Sequence, residues 1–144
     1  MTAPIWQPGT TLEGCNAVSE RSLAMHLGIV ITELGPDFIR GTMPVNARSV
    51  QPMRILHGGA SVALAETLAS IGASCVVDRR TQAVVGQEIN ANHLRPVPEG
   101  ETVEGTARPF HLGSRSQVWG IEIVDAQRRL VCVSRITLAV IARP

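Results

Sequence analysis

Two adjacent glycines, Gly58 and Gly59, stand at the start of a long apolar run, LHGGASVALAETLAS, which covers residues 56–70. The first N–H groups of a helix have no partner within that helix. Together with the helix dipole they can polarise a carbonyl and stabilise an oxyanion. We therefore expect the N–H of Gly58 to be an oxyanion donor. The alternative is that the two glycines serve only a tight turn or close helix packing.

A single carboxylate, Glu66, lies in the middle of the same run. An ionised carboxylate buried without compensation costs on the order of several kcal/mol, so its presence needs an explanation. One explanation is a structural ion pair with an arginine, and the other is a carboxylate used as a nucleophile or base. Ser70 follows one turn later, where its hydroxyl could bond Glu66, a substrate carbonyl or its own backbone.

Gly58 and Glu66 are too far apart along one helix to act on the same atom. At about 1.5 Å per residue the eight steps between them span roughly 12 Å. A catalytic group must come within about 3 Å of the reacting atoms. If both groups act, they therefore come from two subunits. An antiparallel dimer that sets the helix start of one chain beside the helix middle of its partner meets this requirement.

Two polar side chains precede the helix in the loop that should lead into it, Gln51 and His57. The amide of Gln51 could orient a water molecule or bond a carbonyl oxygen. His57 could donate to a substrate, or it could support the loop, which is the commoner role of a single loop histidine. Both residues are candidates for the same site as Gly58.

The surrounding elements predict a single α+β domain over residues 1–144. Thr10 and Glu13 have the spacing of a capping box, which predicts a short helix near Leu12. Short Gly- and Pro-containing connections favour an antiparallel meander for the later strands. The predicted ranges are 27–34 and 38–45 for the first two strands, 58–77 for the long helix, and 83–97, 102–111, 117–125 and 130–141 for the other strands.

The long helix is apolar on nearly all sides, which predicts a core helix with a curved sheet wrapped around it. Its length also raises a transmembrane interpretation, but Glu66 and several hydroxyl side chains oppose it. We therefore expect no membrane partner.

The overall composition excludes several classes of function. The formal net charge is +1 and the thirteen basic residues are all arginines, scattered along the chain, so a nucleic-acid surface is not expected. The three cysteines are far apart in sequence and form no C-x-x-C motif, which disfavours a disulfide framework or a metal site and leaves packing as their expected role. The N-terminus has no secretory pattern, which predicts a cytoplasmic protein.

Several segments together resemble a known family. Gln51-Pro52, LHGGAS at residues 56–61 and Ala65-Glu66 resemble the hotdog-fold thioesterases of the 4-hydroxybenzoyl-CoA thioesterase superfamily. VVG at 84–86, EINANH at 88–93, HLGSR at 111–115 and QVW at 117–119 are similar to the bacterial 1,4-dihydroxy-2-naphthoyl-CoA thioesterase branch. The resemblance covers nearly the whole chain.

This resemblance implies a hotdog fold, with active sites at the interface of a homodimer and two dimers forming a homotetramer. It implies hydrolysis of an aromatic acyl-CoA, of the 1,4-dihydroxy-2-naphthoyl or benzoyl type, or of a medium-chain acyl-CoA, to free acid and CoA. No separate cofactor is expected, since CoA is part of the substrate.

The resemblance also assigns roles by matching position. Glu66 matches the catalytic carboxylate, as nucleophile or as base for water, and Gly58 matches the oxyanion donor. Gln51, His57 and Ser70 complete the acyl site. The residues matched to coenzyme A binding are Gly86, His93, Leu94, Arg95, Pro96, His111, Leu112, Gly113, Ser114, Arg115 and Ser116.

The chain departs from this branch at Met53-Arg54 and at residues 67–69, which flank the acyl pocket, so the acyl group stays open. Three other functions compete. A thioesterase acting on an aryl or acyl carrier protein shares the chemistry. A hotdog hydro-lyase fits less well, because its His-Phe-Pro type segment is missing. A non-catalytic acyl-CoA binding module would be expected to carry an appended domain, and the 144 residues contain none.

Overall fold

The computed structural model describes residues 2–144, which form one antiparallel sheet packed against one long helix. This confirms the predicted α+β architecture, and the fold is the hotdog fold. In chain order the elements are α1 (Leu12–Ala17), α2 (Leu23–His26), β1 (Val30–Leu34), β2 (Ile39–Pro44), α3 (Gly58–Val76), β3 (Gln82–His93), β4 (Thr102–Leu112), β5 (Ser116–Val124) and β6 (Leu130–Ala142).

The six strands lie in the order β1-β2-β4-β5-β6-β3, with every neighbouring pair antiparallel. Strands β4, β5 and β6 form the predicted meander. Strand β3 does not: it pairs with β6, so the segment from β3 to β4 crosses two intervening strands. The prediction of a simple meander for all four strands was therefore wrong. A short connection between two strands does not by itself place them side by side.

Helix α3 sits on the centre of the sheet because glycines leave room for it. Gly41 in β2 and Gly105 in β4 are register partners. A Cβ at Gly41 would lie 2.9 Å from a Leu68 methyl carbon, and a Cβ at Gly105 would lie 2.7 Å from the other. Further along the helix, a Cβ at Gly72 would meet the Trp119 ring at 2.9 Å. Close contact of the helix with the sheet therefore requires these positions to lack side chains.

One face of α3, toward the centre of the sheet, is buried, whereas a second face is only half-buried within one chain. Leu64 and Leu68 are completely buried. Glu66, Thr67 and Ser70 are half-buried. The helix has the length and composition of a membrane span, but half of its most apolar stretch is buried inside the protein, as in a core helix. Its half-buried face forms the wall of a cleft.

The N-terminal segment differs from the prediction at two points. The cap of α1 is Thr11, whose hydroxyl accepts from the Gly14 N–H at 3.0 Å, and not Thr10, which donates to the Gln7 carbonyl instead. The predicted strand from residue 27 begins only at Val30, after the single turn of α2. The segment also closes the far end of α3, since the Gln7 backbone N–H donates to the Cys75 carbonyl at 2.8 Å.

Candidate functional site

The first turn of α3 leaves one backbone donor unused. His57 is the N-cap: its Nδ1 accepts from the Gly59 N–H at 2.8 Å, and its carbonyl accepts from Ala60 and Ser61. For the Gly58 N–H, no acceptor is found among residues 2–144. The predicted oxyanion donor is thus an unpaired N–H at the positive end of a 19-residue helix.

The cap uses one of the two ring nitrogens of His57. Nδ1 accepts the hydrogen bond from the Gly59 N–H, which leaves Nε2 as the ring nitrogen that a substrate could reach. His57 is exposed. The structural role left open by the sequence is therefore present, and Nε2 is turned away from the cap.

A cavity of about 350 Å³ lies at this helix start. Gln51 turns its side-chain oxygen back to the Met53 N–H, which leaves its amide NH2 free to donate. His93 packs against Gly58 so closely that a Cβ on the glycine would lie 2.8 Å from the ring nitrogen Nε2. The lining residues are Gln51, Ile55, Leu56, Gly58, Ser61, His93, Leu94, Arg95, Pro96 and Val131.

Glu66 and Ser70 line a second cavity, along the half-buried face of α3. Among residues 2–144 Glu66 enters no ion pair, so the structural explanation offered for it is not found in the chain described. The Ser70 hydroxyl likewise has no hydrogen-bond partner within those residues, neither Glu66 nor its own backbone. Both side chains are left available to a ligand or to another subunit.

The Glu66 carboxylate lies close to a glycine on the sheet. A Cβ at Gly86 would lie 2.6 Å from Glu66 Oε1. Gly86 is also the residue at which the pairing of β3 with β6 shifts by a bulge. The resemblance assigns Gly86 to coenzyme A binding, and the structure places it beside the carboxylate, which would have to shift if this residue had a side chain.

The residues predicted to bind coenzyme A fall at opposite ends of the sheet. Gly86 of β3 pairs with Leu138 of β6, which in turn pairs with Gln117 at the start of β5. The turn between β4 and β5, which contains Gly113 and Arg115, therefore lies at the same end of the strands as Gly86. His93 is seven residues further along β3, about 23 Å at 3.3 Å per residue. The predicted site residues thus fall into two separate groups in each chain, one around Gly58 and His93 and the other around Glu66 and Gly86. We call these two groups half-sites.

Some residues that line these cavities were not predicted. Ser61, almost fully buried in α3, lines the cavity of Gly58. Ser19, Ser22 and Leu23, from α2 and the segment before it, line the cavity of Glu66. The sequence carries no prediction for that segment, because no local pattern connects it with a residue more than forty positions away. Ser61 did have a signal, since it is a polar residue on the inner side of the helix.

Known proteins resemble this chain in sequence and in structure. The model of the family described as "Thioesterase superfamily" matches residues 53–132. The proofreading thioesterase EntH of Cronobacter sakazakii is 50% identical over 137 residues, 95% of this chain and 98% of the relative. The 1,4-dihydroxy-2-naphthoyl-CoA hydrolase of Escherichia coli is 48% identical over 137 residues, 95% of this chain and 99% of the relative.

Solved structures agree with these sequence matches. A thioesterase from Haemophilus influenzae superposes with a TM-score of 0.91 at 48% identity, covering 96% of this chain and 95% of the other. A mutant thioesterase from Pseudomonas aeruginosa superposes with a TM-score of 0.93 at 37% identity, covering 96% and 99%. The likeness therefore extends over both half-sites.

The capping role of His57 can be tested by measuring the free energy of unfolding of two variants. We expect His57→Ala to lower the free energy of unfolding by about 0.5–2 kcal/mol, because the Gly59 N–H loses its acceptor. His57→Ser, which restores an oxygen acceptor at the N-cap, should recover most of this loss. Urea unfolding followed by circular dichroism gives both values. Equal stability of the alanine variant and the wild type would contradict the capping role.

Proposed function

The chain belongs to the thioesterase superfamily and is a thioester hydrolase, and from this premise we propose that it acts on an aromatic acyl-CoA. The identity of about half of all residues with a relative named 1,4-dihydroxy-2-naphthoyl-CoA hydrolase supports an aromatic acyl group. The observation that carries the proposed site is Glu66, a carboxylate without an ion-pair partner in residues 2–144 that faces a cleft. The products are the free acid and CoA.

The chemistry follows from the two half-sites. The Gly58 N–H donates to the thioester carbonyl oxygen, and this hydrogen bond strengthens as negative charge develops there. The partner subunit's Glu66 either attacks the carbonyl carbon or takes a proton from the water that attacks it. The C–S bond then breaks, and the sulfur takes a proton, from Glu66 where it acted as the base and otherwise from solvent, and leaves as the thiol of CoA. Where Glu66 attacked, water then hydrolyses the acyl anhydride on Glu66 and releases the free acid. Gln51, with its NH2 free, adds a second donor near the same carbonyl, and Ser70 lies beside the carboxylate.

The site closes only when two chains meet. Strand β3 pairs with β6 on one side, and none of the described residues pairs with its other edge. Antiparallel pairing of two copies of β3, centred between Ile89 and Asn90, sets His93 of one strand opposite Gly86 of the other. Since His93 contacts Gly58 and Gly86 contacts Glu66, this pairing joins the two half-sites. We propose this homodimer as the catalytic unit.

The same pairing brings together the predicted coenzyme A residues. Arg95 follows one end of β3, whereas Arg115 lies in the turn at the other end, so one arginine from each chain would approach the same nucleotide. Both are exposed, and neither forms an ion pair within residues 2–144. Their planar forks suit phosphate oxygens. A homotetramer made of two such dimers, a cytoplasmic location and the absence of a separate cofactor complete the proposal.

Replacement of the carboxylate tests the central assignment. We expect Glu66→Gln to lower thiol release from benzoyl-CoA by about 100- to 10,000-fold, because the amide can neither attack nor take a proton. Glu122→Gln, which removes an exposed carboxylate from β5, outside both half-sites and away from the proposed β3 pairing, is the matched control and should keep full activity.

A panel of aromatic and aliphatic acyl-CoAs, and the same acyl groups on pantetheine or on a carrier protein, gives the preferred acyl group and carrier. Unchanged hydrolysis in Glu66→Gln would reject the catalytic role. Faster turnover of aliphatic substrates or of the carrier-bound form would reject the proposed substrate. Hydration of an enoyl thioester without thiol release would favour the hydro-lyase.

Gly86 should matter for activity and not for folding. We expect Gly86→Ala to displace the Glu66 carboxylate, whose Oε1 would otherwise lie 2.6 Å from the new Cβ. The flexible end of the glutamate can move, so the urea midpoint should stay near that of the wild type. A displacement of about 1 Å can lower kcat by as much as 100-fold. Loss of stability together with unchanged kcat in the folded fraction would contradict this role.

A backbone substitution tests the oxyanion donor. Gly58→Pro removes the N–H at the first helical position, where proline is well tolerated, and His57 before it already has the extended conformation that precedes proline. We expect about a 100- to 1,000-fold loss of kcat. Gly58→Ala introduces a Cβ toward His93 but keeps the N–H, and it should lose far less. Similar losses in both would assign the effect to crowding.

The two variants together test the two-chain site. Neither Glu66→Gln nor Gly58→Pro forms an intact site alone. In a mixed dimer, the Gly58 of one chain and the Glu66 of the other reconstitute one site. A 1:1 mixture refolded from denaturant should therefore regain about a quarter of the wild-type activity, because half the dimers are mixed and each has one intact site. No recovery would place both groups in one chain.

A further inference from the structure

Two buried cysteines that are sixty residues apart in sequence meet in the structure. Cys15 in α1 and Cys75 in the last turn of α3 are both 3% exposed, and their Sγ atoms lie 3.7 Å apart. All three cysteines are free and pack in the core, as the sequence predicts. Local sequence did not predict that Cys15 and Cys75 also contact each other, whereas Cys132 lies apart from them on β6. The pair joins the N-terminal segment to the end of the helix that carries Glu66.

The sulfur atoms are close enough to form a bond after a small movement. A disulfide needs an S–S distance of about 2.05 Å, so the two atoms must approach by roughly 1.7 Å. Helix α1 has only six residues, and its Asn16 side chain forms two hydrogen bonds with the Ile31 backbone on β1. Rotation of either cysteine side chain, with a slight shift of α1, supplies the movement.

The pair is also accessible to a small reagent. Both cysteines line a cavity of about 260 Å³, together with Val18, Ser70, Ser74 and the exposed Arg79. The hydrogen bond from Cys15 lowers the pKa of Cys75, and the Arg79 cation lowers it further, against the effect of burial. The pKa of Cys15 is raised, because its proton is held in that hydrogen bond and the thiol is buried. Cys75 is therefore the thiol that ionises first.

We propose that Cys15 and Cys75 form a redox-active pair that a hydroperoxide converts to an intramolecular disulfide. The Cys75 thiolate attacks one peroxide oxygen, the O–O bond breaks, and water or an alcohol leaves, with the sulfur oxidised to a sulfenic acid. The Cys15 sulfur then attacks the sulfenic sulfur, the S–O bond breaks and water leaves. Two electrons pass from the two thiols to the peroxide, and a thiol reductant reverses the reaction.

The disulfide would fasten α1 to the end of α3, beside the cleft of Glu66. Val18 follows α1 immediately, and it lines both the thiol cavity and the cleft, as do Ser70 and Ile71. The oxidised and reduced forms therefore differ in how freely one wall of the cleft can move. The thiol chemistry itself does not depend on the proposed substrate.

The test is oxidation of the full-length protein by hydrogen peroxide in slight excess, followed by thiol titration and peptide mass spectrometry without reduction. We expect the wild type to lose two of its three thiols and to yield one cross-linked peptide pair containing Cys15 and Cys75, which dithiothreitol separates. Cys132→Ser is the matched control and should yield the same cross-link. Retention of all three thiols, or cross-links between chains only, would overturn the proposal.

A second variant identifies the first oxidised sulfur. In Cys15→Ser the sulfenic acid cannot be resolved, so dimedone should label Cys75. Labelling of Cys132 to the same extent, or no labelling of Cys75, would contradict the assignment. If Cys15→Ser folds poorly, thiol titration and peptide mass spectrometry of the wild type and of Cys132→Ser still show whether the disulfide forms.

Discussion

The close approach of helix α3 to the sheet is the contact on which the rest of the structure depends. Leu68 fits over Gly41 and Gly105, two glycines that face each other on neighbouring strands, and Gly72 allows the same approach to Trp119. Side chains at these positions would force the helix away, because packed interiors leave little room for an added carbon. The height of the helix above the sheet then determines where Glu66 stands relative to β3.

In this position of the helix, the Glu66 carboxylate lies close to Gly86 and forms no ion pair with any of the described residues. A carboxylate in a closed core would need a paired cation or hydrogen-bond donors. In this chain it is half-buried at a cleft and keeps part of its hydration, so the fold can hold it without such a partner. Because the cleft is open, a substrate can reach the Glu66 carboxylate. The bulge at Gly86 and the missing side chain there give the carboxylate its space.

Local sequence patterns predicted the elements better than their arrangement. The long helix was predicted at 58–77 and is observed at Gly58–Val76, since glycines mark its start and an uninterrupted apolar run marks its length. Helix α2 was missed because a single turn with one buried residue, Ala24, has no periodicity to recognise. The place of β3 beside β6 was missed because strand order depends on contacts between distant segments, which local alternation does not encode.

For the candidate site, too, the sequence predicted individual residues but not the contacts between distant segments. Gly58 and Glu66 were predicted as site residues from residue type and spacing, and their separation along one helix means that both can act on one substrate only if they come from two chains. What the spacing could not provide is the position of Gly86 under the carboxylate, or that of His93 against Gly58, since both depend on how β3 lies beside the helix.

In the proposed dimer, the contacts of His93 with Gly58 and of Gly86 with Glu66 lie on the strand whose exposed edge pairs with the second chain. An unpaired edge strand is a hazard for aggregation unless another chain covers it. Pairing with a second β3 satisfies its backbone groups, and the antiparallel direction brings each end of the strand to the opposite end of its copy. One set of hydrogen bonds thus removes the open edge and completes two sites, so that catalysis and assembly depend on the same strand.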